Sequence, residues 1–272
     1  TYDWGVLYNA GLIRQTNSGA FRTGSNGKVV NLSSGVYEFV GDGGDLAASF
    51  TNYGIVRKSS GTGTSRISGS FYNPGGTIEV DSGRLWLAMD NVSWGAISTG
   101  RFVVAEGAVL DLSGISNSFP HLICGGEISG IGAGHVQMNS GYGPGYGGGA
   151  SWNFPTGMFW WTGGTMGGDV TNANMVTIWA TNGPILEGGI LYNAGLIQQT
   201  NSGAFRSGAN GSLINLSSGV YEFLGDGGDL AAACTNYGLI RKSSGTGTST
   251  MSGLFRNYGG TIEVDSGRLW LT

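Results

Sequence analysis

The sequence predicts an all-β protein, a single parallel β-helix (β-solenoid) of about 12–13 coils of roughly 21 residues with almost no α-helix. Three observations predict it. Asparagine recurs at a nearly fixed step, at Asn9, Asn31, Asn52 and Asn73, and the same spacing returns 184 residues later at Asn193, Asn215, Asn236 and Asn257. No segment carries apolar residues at i, i+3, i+4 and i+7 over three turns, the mark of an amphipathic helix. The chain is 272 residues long with 54 glycines, 40% hydrophobic and only 11% charged residues, an ordered, turn-rich composition. Disordered chains show the reverse balance, many charges and few apolar residues.

Residues 5–88 align with 189–272 without a gap, identical at 66 of 84 positions. Differences such as Val6/Ile190, Val29/Leu213, Val40/Leu224 and Ile55/Leu239 keep an apolar residue apolar, as expected of side chains that fill one core. The chain is therefore read as one continuous solenoid over 1–272. It holds repeat copy 1 (5–88), an intervening solenoid section (89–188) and repeat copy 2 (189–272). Each coil touches only its neighbours, so such a rod can absorb any length.

Along copy 1 the rows stack as Gly11-Leu12-Ile13-Arg14, Gly35-Val36-Tyr37-Glu38, Gly54-Ile55-Val56-Arg57 and Gly76-Thr77-Ile78-Glu79. Glycine leads each row, as a tight turn needing positive φ would require. Strand side chains alternate between faces. With Ile13, Tyr37, Val56 and Ile78 placed inward, Arg14, Glu38, Arg57 and Glu79 point to solvent. Their signs alternate, and opposite charges on adjacent strands attract by roughly 0.2–1 kcal/mol per pair. Copy 2 keeps Glu222, Arg241 and Glu263 but starts with Gln198. The asparagines are read as an inward ladder, because an amide both donates and accepts and so bonds to its copy one coil away. Turn preference is the competing explanation. A further strand follows each turn, as in Asp81-Ser82-Gly83 before Arg84-Leu85-Trp86-Leu87, with Leu85 and Leu87 inward and Arg84 and Trp86 outward.

The residues just quoted resemble the tandem repeats of large bacterial cell-surface β-solenoid proteins, adhesin or autotransporter-passenger-like. Asn-Ala-Gly-Leu-Ile (9–13), Asn-Tyr-Gly-Ile-Val-Arg-Lys-Ser (52–59), Gly-Thr-Gly-Thr-Ser (61–65) and Gly-Gly-Thr-Ile-Glu-Val-Asp-Ser-Gly-Arg-Leu-Trp-Leu (75–87) carry the resemblance. So does the stretch from Phe154-Pro155-Thr156-Gly157 to Trp161-Thr162-Gly163-Gly164-Thr165. It covers nearly the whole chain, and the matching residues are those that form coils. It implies a secreted or surface-displayed adhesin or scaffold and brings no catalytic residue. Asn174 stands where the repeat has glycine, a change tolerated if the site needs positive φ, which Asn also accepts.

The net charge of −4 is spread without runs, unlike the basic stripe of a nucleic-acid binder. No run of 18 apolar residues marks a membrane span. The sequence starts at Thr1-Tyr2-Asp3 and stops mid-pattern at Leu271-Thr272, so a mature or excised piece is expected, with any export signal out of view. Cys124 and Cys234 lie about five coils apart, roughly 24 Å, too far for a disulfide within the chain. Cys234 aligns with Phe50 and reads as a small buried hydrophobe; for Cys124 a link between chains stays open.

Chemistry-bearing groups are sparse. His121 and His135 lack metal-ligand spacing. Gly41-Asp42-Gly43-Gly44-Asp45, repeated with Asp226 and Asp229, offers carboxylates and carbonyls for calcium, although a calcium nonapeptide needs consecutive copies. An ordinary turn is the simpler reading. A Gly/Tyr-rich loop at 141–149 interrupts the coils before Trp152, Trp160 and Trp161. Those aromatics suit the core, a subunit contact or stacking on sugar rings. The column Leu12, Val36, Ile55 with Leu196, Val220 and Leu239, beside outward Trp86 and Trp270, forms a candidate contact surface.

The expectation is a non-enzymatic structural module, without cofactor, of an extracellular bacterial fibre or filament assembled by end-to-end stacking of coils. The alternative is a carbohydrate-binding surface adhesin that touches glycans or cell surfaces. A solenoid polysaccharide lyase or hydrolase would need paired carboxylates on one face, and here the acids are thin.

Overall fold

The computed structural model describes residues 2–16, 18–88, 95–113, 122–141, 149–200 and 202–272. These residues form an all-β parallel solenoid of about 11 turns of about 22 residues, with no helix. One coil is built from three strands and three corners. Tyr2–Asn9 makes the first face, Leu12–Gln15 the second, and the start of Ala20–Asn31 the third. The next coil pairs with it in parallel on every face: Asn9 opposite Asn31, Ile13 opposite Tyr37, and Phe21 opposite Leu46. A chain that returns to the same face after 21–22 residues lays each strand along its predecessor, so every backbone ladder is made between coils.

Alternation sets the core. Val29, Phe50 and Phe71 descend inside the first face, Tyr37, Val56, Ile78 and Phe102 inside the second, and Leu46, Ile67 and Leu87 inside the third. All are buried. Phe50 and Phe71 stack with ring centroids 6.1 Å apart, and Tyr37 donates its hydroxyl proton to Gln15 Oε1 at 2.6 Å. Leu85 and Leu87 point inward as expected.

The intervening section turns the pattern by one face. The second face of copy 1 runs through Val36–Val40, Ile55–Ser60, the end of Phe71–Val80, the end of Gly95–Val104, Gly126–Ile131, Ala150–Asn153 and Val170–Asn172. It then arrives at Ile190–Asn193, which in copy 2 is the asparagine-bearing strand. In copy 1 that strand lay on the first face. Parallel pairing likewise carries the third face through Val109–Asp111, His135–Met138 and Phe159–Gly167 to Leu196–Gln199, the second-face strand of copy 2. The 184-residue step thus amounts to eight turns plus one face.

The row-leading glycines need correction. None of Gly11, Gly35, Gly54 or Gly76 has positive φ; left-handed glycines sit at other positions, for example Gly41 and Gly83, and Gly75 just before Gly76. What the leading glycines supply is space. A Cβ on Gly54 would overlap the carbonyl oxygens of Gly35 and Leu32, and one on Gly76 would overlap the Asn52 side chain. Gly11, on the first rung, would meet nothing. Asn174 also heads a first rung, the start of the second asparagine series, and it does so without positive φ.

Candidate functional surfaces

The asparagines form two hydrogen-bonded ladders inside the rod. Asn9 Nδ2 donates to Asn31 Oδ1 at 2.7 Å, Asn31 to Asn52 at 2.8 Å and Asn52 to Asn73 at 2.7 Å. The second ladder starts one rung earlier than the sequence reading placed it, with Asn172 donating to Asn193 at 2.7 Å. It continues through Asn215 and Asn236 to Asn257 at 2.7–2.8 Å. The signal for Asn172 was its 21-residue distance from Asn193. Each amide also meets strand carbonyls, as Asn31 Nδ2 meets Gly35 O at 3.1 Å and Ile55 O at 3.0 Å. The buried amides are thereby satisfied, except Asn172 Oδ1, which has no partner at the head of the second ladder. Ile97 takes the rung after Asn73, and the first ladder stops there.

On the outer side of the second face, Arg14 donates to Glu38 at 2.7 Å and Arg57 to Glu79 at 2.6 Å, with Asp81 at 3.7 Å from Arg57. In copy 2, Gln198 and Arg241 both turn to Glu222, at 2.5 Å each. Losing the arginine at the first row thus draws the third-row arginine back by one coil. Glu38 and Glu222 were expected in solvent but are buried among their neighbours. Burial alone would raise the pKa of Glu38. The hydrogen bonds from Arg14 and Ser59 outweigh it, so its pKa lies below the ordinary value. For Glu222, burial is likewise outweighed by Gln198 and Arg241.

Sequence reasoning missed a buried cation. Lys58 and Lys242 are fully buried. Lys58 Nζ donates to Asp42 Oδ1 at 2.9 Å, Gly41 O at 3.0 Å and Ser60 O at 2.6 Å. Lys242 repeats this with Asp226, Gly225 and Ser244 at 2.9, 3.0 and 2.5 Å. Three acceptors for three ammonium protons, one of them charged, make that burial tolerable. Alternation from Val56 placed Lys58 inward all along.

The same contacts define the Gly-Asp corner. Asp42 and Asp226 are held by the lysines, which keep their carboxyls below the usual range. Asp45 is bound by Arg66 at 2.9 Å and Ser68 at 2.7 Å, and Asp229 by Ser252 at 2.7 Å. Each carboxylate of the candidate calcium loop therefore serves a separate protein partner. Among the described residues no three His, Cys, Asp or Glu side chains converge as metal ligands.

The aromatic candidates divide. Trp152 and Trp161 are 1% and 0% exposed, so neither offers a ring to a sugar; both are core. They packed inward because alternation along Ala150–Asn153 and Phe159–Gly167 aims them there. Trp160 faces outward, its ring stacked on His135 at 3.6 Å between centroids and 5.5 Å from Trp179, which sequence reading had passed over. His135 Nδ1 lies 3.2 Å from Gly157 O, an oxygen that can only accept. His121 and residues 142–148 of the Gly/Tyr loop lie outside the described residues.

The aliphatic column is half-buried within the rod at Val36, Ile55, Leu196, Val220 and Leu239, and exposed at Leu12 in the first coil. Trp86 is half-buried. Its Nε1 donates to Ser113 O at 2.6 Å and Arg84 lies over its ring, 5.3 Å from the centroid. Beside it a groove of about 490 Å³ is lined by Arg22, Asp45 and Arg66. Trp270, the counterpart in the last coil, is exposed. Cys124 and Cys234 are free and buried, and burial pushes each thiol up to about 12. At neutral pH both are unreactive neutral hydrophobes.

Comparison of the chain with protein-family models, with curated proteins and with solved structures returned no match.

Proposed function

We propose that this chain is a structural repeat module of an extracellular fibre, a rod whose length grows by stacking further coils rather than a scaffold for an active site. The observation that carries this reading is the fate of the two copies. Both build the same coils, the same buried lysine corner and a matching amide ladder, and among the described residues parallel pairing joins them through the middle section along the second and third faces. The polar side chains best organised in the molecule, the asparagines and the Arg/Glu column, are spent on one another along the axis. That is how a rod holds its coils in register.

Rod building is tested by chains carrying one, two and three extra 184-residue units. At about 4.8 Å per coil, each unit should lengthen the particle by about 40 Å at constant width in electron micrographs. Beads joined by flexible joints would overturn the reading. Surface display is tested on intact cells of the source by antibody labelling and protease shaving; signal only after lysis would refute an extracellular role.

A second reading, glycan binding, is favoured by the outward Trp160, His135 and Trp179. Binding on a glycan array that survives both Trp160→Ala and Trp179→Ala would exclude this surface.

A further inference from the structure

We propose that the third face of the rod binds an unbranched, neutral glycan stretched along the axis, with Trp86 at one end and Trp160 and Trp179 at the other. This rests on the glycan reading and adds to it the ligand's shape, its charge class and the direction in which it lies.

One outward column of that face runs Trp86, Asp111, Gln137, Trp160, one residue per coil in parallel register. Three coil steps of about 4.8 Å set the two tryptophans about 14 Å apart along the axis. Trp179 stands beside Trp160 and is 41% exposed. Packing of the coils does not call for these rings. The same column holds Asp45 and Arg66 before them, and Thr177 and Gln198 after them, and its strands pair in parallel there too. Indole surface turned to solvent is apolar area that the C–H face of a pyranose can cover.

The rings are held before any ligand arrives. Trp86 Nε1 is bonded to Ser113 O, and His135 stacks on Trp160. Little side-chain freedom is then lost on docking. Between the two ends lie two acceptors. His135 Nδ1 faces the Gly157 carbonyl and so carries the proton, which makes Nε2 of the neutral ring an acceptor. Gln137 Nε2 donates to Asp111 at 2.8 Å, leaving Oε1 as the second acceptor. Both suit the hydroxyl protons of a sugar. The charges of the strip are spent on one another. Arg84 is paired with the buried Asp111, and Arg66 with Asp45. An ionic ligand finds no unpaired guanidinium or carboxylate among them, so a neutral chain is selected. The long step between the two aromatic ends selects a stretched chain over a coiled one.

Three probes test this by calorimetric titration into the 272-residue protein. Cellohexaose and cellobiose are a long and a short stretched neutral chain, and maltohexaose is a coiled chain with as many sugars as the first. Cellohexaose should bind at least tenfold tighter than either of the others. Trp86→Ala should weaken cellohexaose at least fivefold and leave cellobiose unchanged, because only the long chain reaches both ends. Gln137→Leu should weaken both at least fivefold. Far-UV circular dichroism of the variants should match that of the wild type, and the ratio of cellohexaose to cellobiose affinity in the wild type tests the axial span without any substitution.

Equal affinity for the three probes, or no binding of any, would overturn the stretched neutral ligand. A folded Trp86→Ala protein that binds cellohexaose as the wild type does would overturn the axial span. In either case, a glycan-array signal lost in Trp160→Ala and Trp179→Ala would leave the glycan reading standing.

Discussion

A rung of this rod is a contract between one asparagine and one glycine. The amide must lie flat inside the corner to reach the amides above and below. The backbone of the next row then passes so close that no Cβ fits. Gly54→Ala would drive a methyl into the carbonyl oxygens of Gly35 and Leu32. Overpacking of this kind costs about 1–3 kcal/mol. Gly11→Ala, with nothing within 4 Å, should leave stability unchanged. Urea denaturation of the two variants checks the pair, and equal midpoints would refute the steric account. The ladder was legible because a donor–acceptor side chain at constant step has one economical explanation. The glycines were legible as positions but not as causes, since Gly-led rows suggest positive φ, and only coordinates show that the constraint is room. Lys58 was legible by alternation from Val56. Habit about charge hid it, because its acceptors Gly41 O and Ser60 O are backbone atoms that carry no sequence signature.

At the scale of a strand, the outer charge column behaves as a partly covered layer. Neighbouring side chains bury Glu38 and Glu222 while Arg14 stays largely exposed. The expectation of a solvent face failed because it considered each coil alone, and a stack of coils shields what a single strand would show. The consequence is acid sensitivity. Glu38, Glu222, Asp42 and Asp226 all have folded pKa values below their ordinary ones. For such groups the unfolded chain binds protons first. Their contribution is fully present above the unfolded carboxylate value of about 4 and is lost as pH falls through the folded one. Asp81, raised by burial against the pull of Arg57, acts in the opposite direction, one group against four. Thermal melts should therefore be flat from about pH 5 to 8 and fall steeply below about pH 4. Removing the acceptor with Glu38→Gln should shrink that fall. A Glu38→Gln protein with the same acid profile would show that the column does not govern the transition.

At the scale of the whole molecule, the two copies are alike in sequence and differ in direction. The asparagine strand of copy 2 stands on the face that carries the Leu12 row in copy 1. Sequence alone held a trace of this, because 184 residues exceed eight turns of about 22 by roughly one strand and its corner. The alignment, which has no gap, drew attention to sameness rather than to the remainder. A tandem array of such units would present each outer surface, such as Trp160 with His135, on the three faces in succession. The pattern would return to its first face after three units, on the order of 120 Å along the axis at about 4.8 Å per coil. Cryo-electron microscopy of a chain extended by three units should therefore find units related by one-third of a turn about the rod axis for each rise of about 40 Å. Units related by translation alone, with every ladder on one face throughout, would contradict the pairing traced through Gly126–Ile131, Ala150–Asn153 and Val170–Asn172.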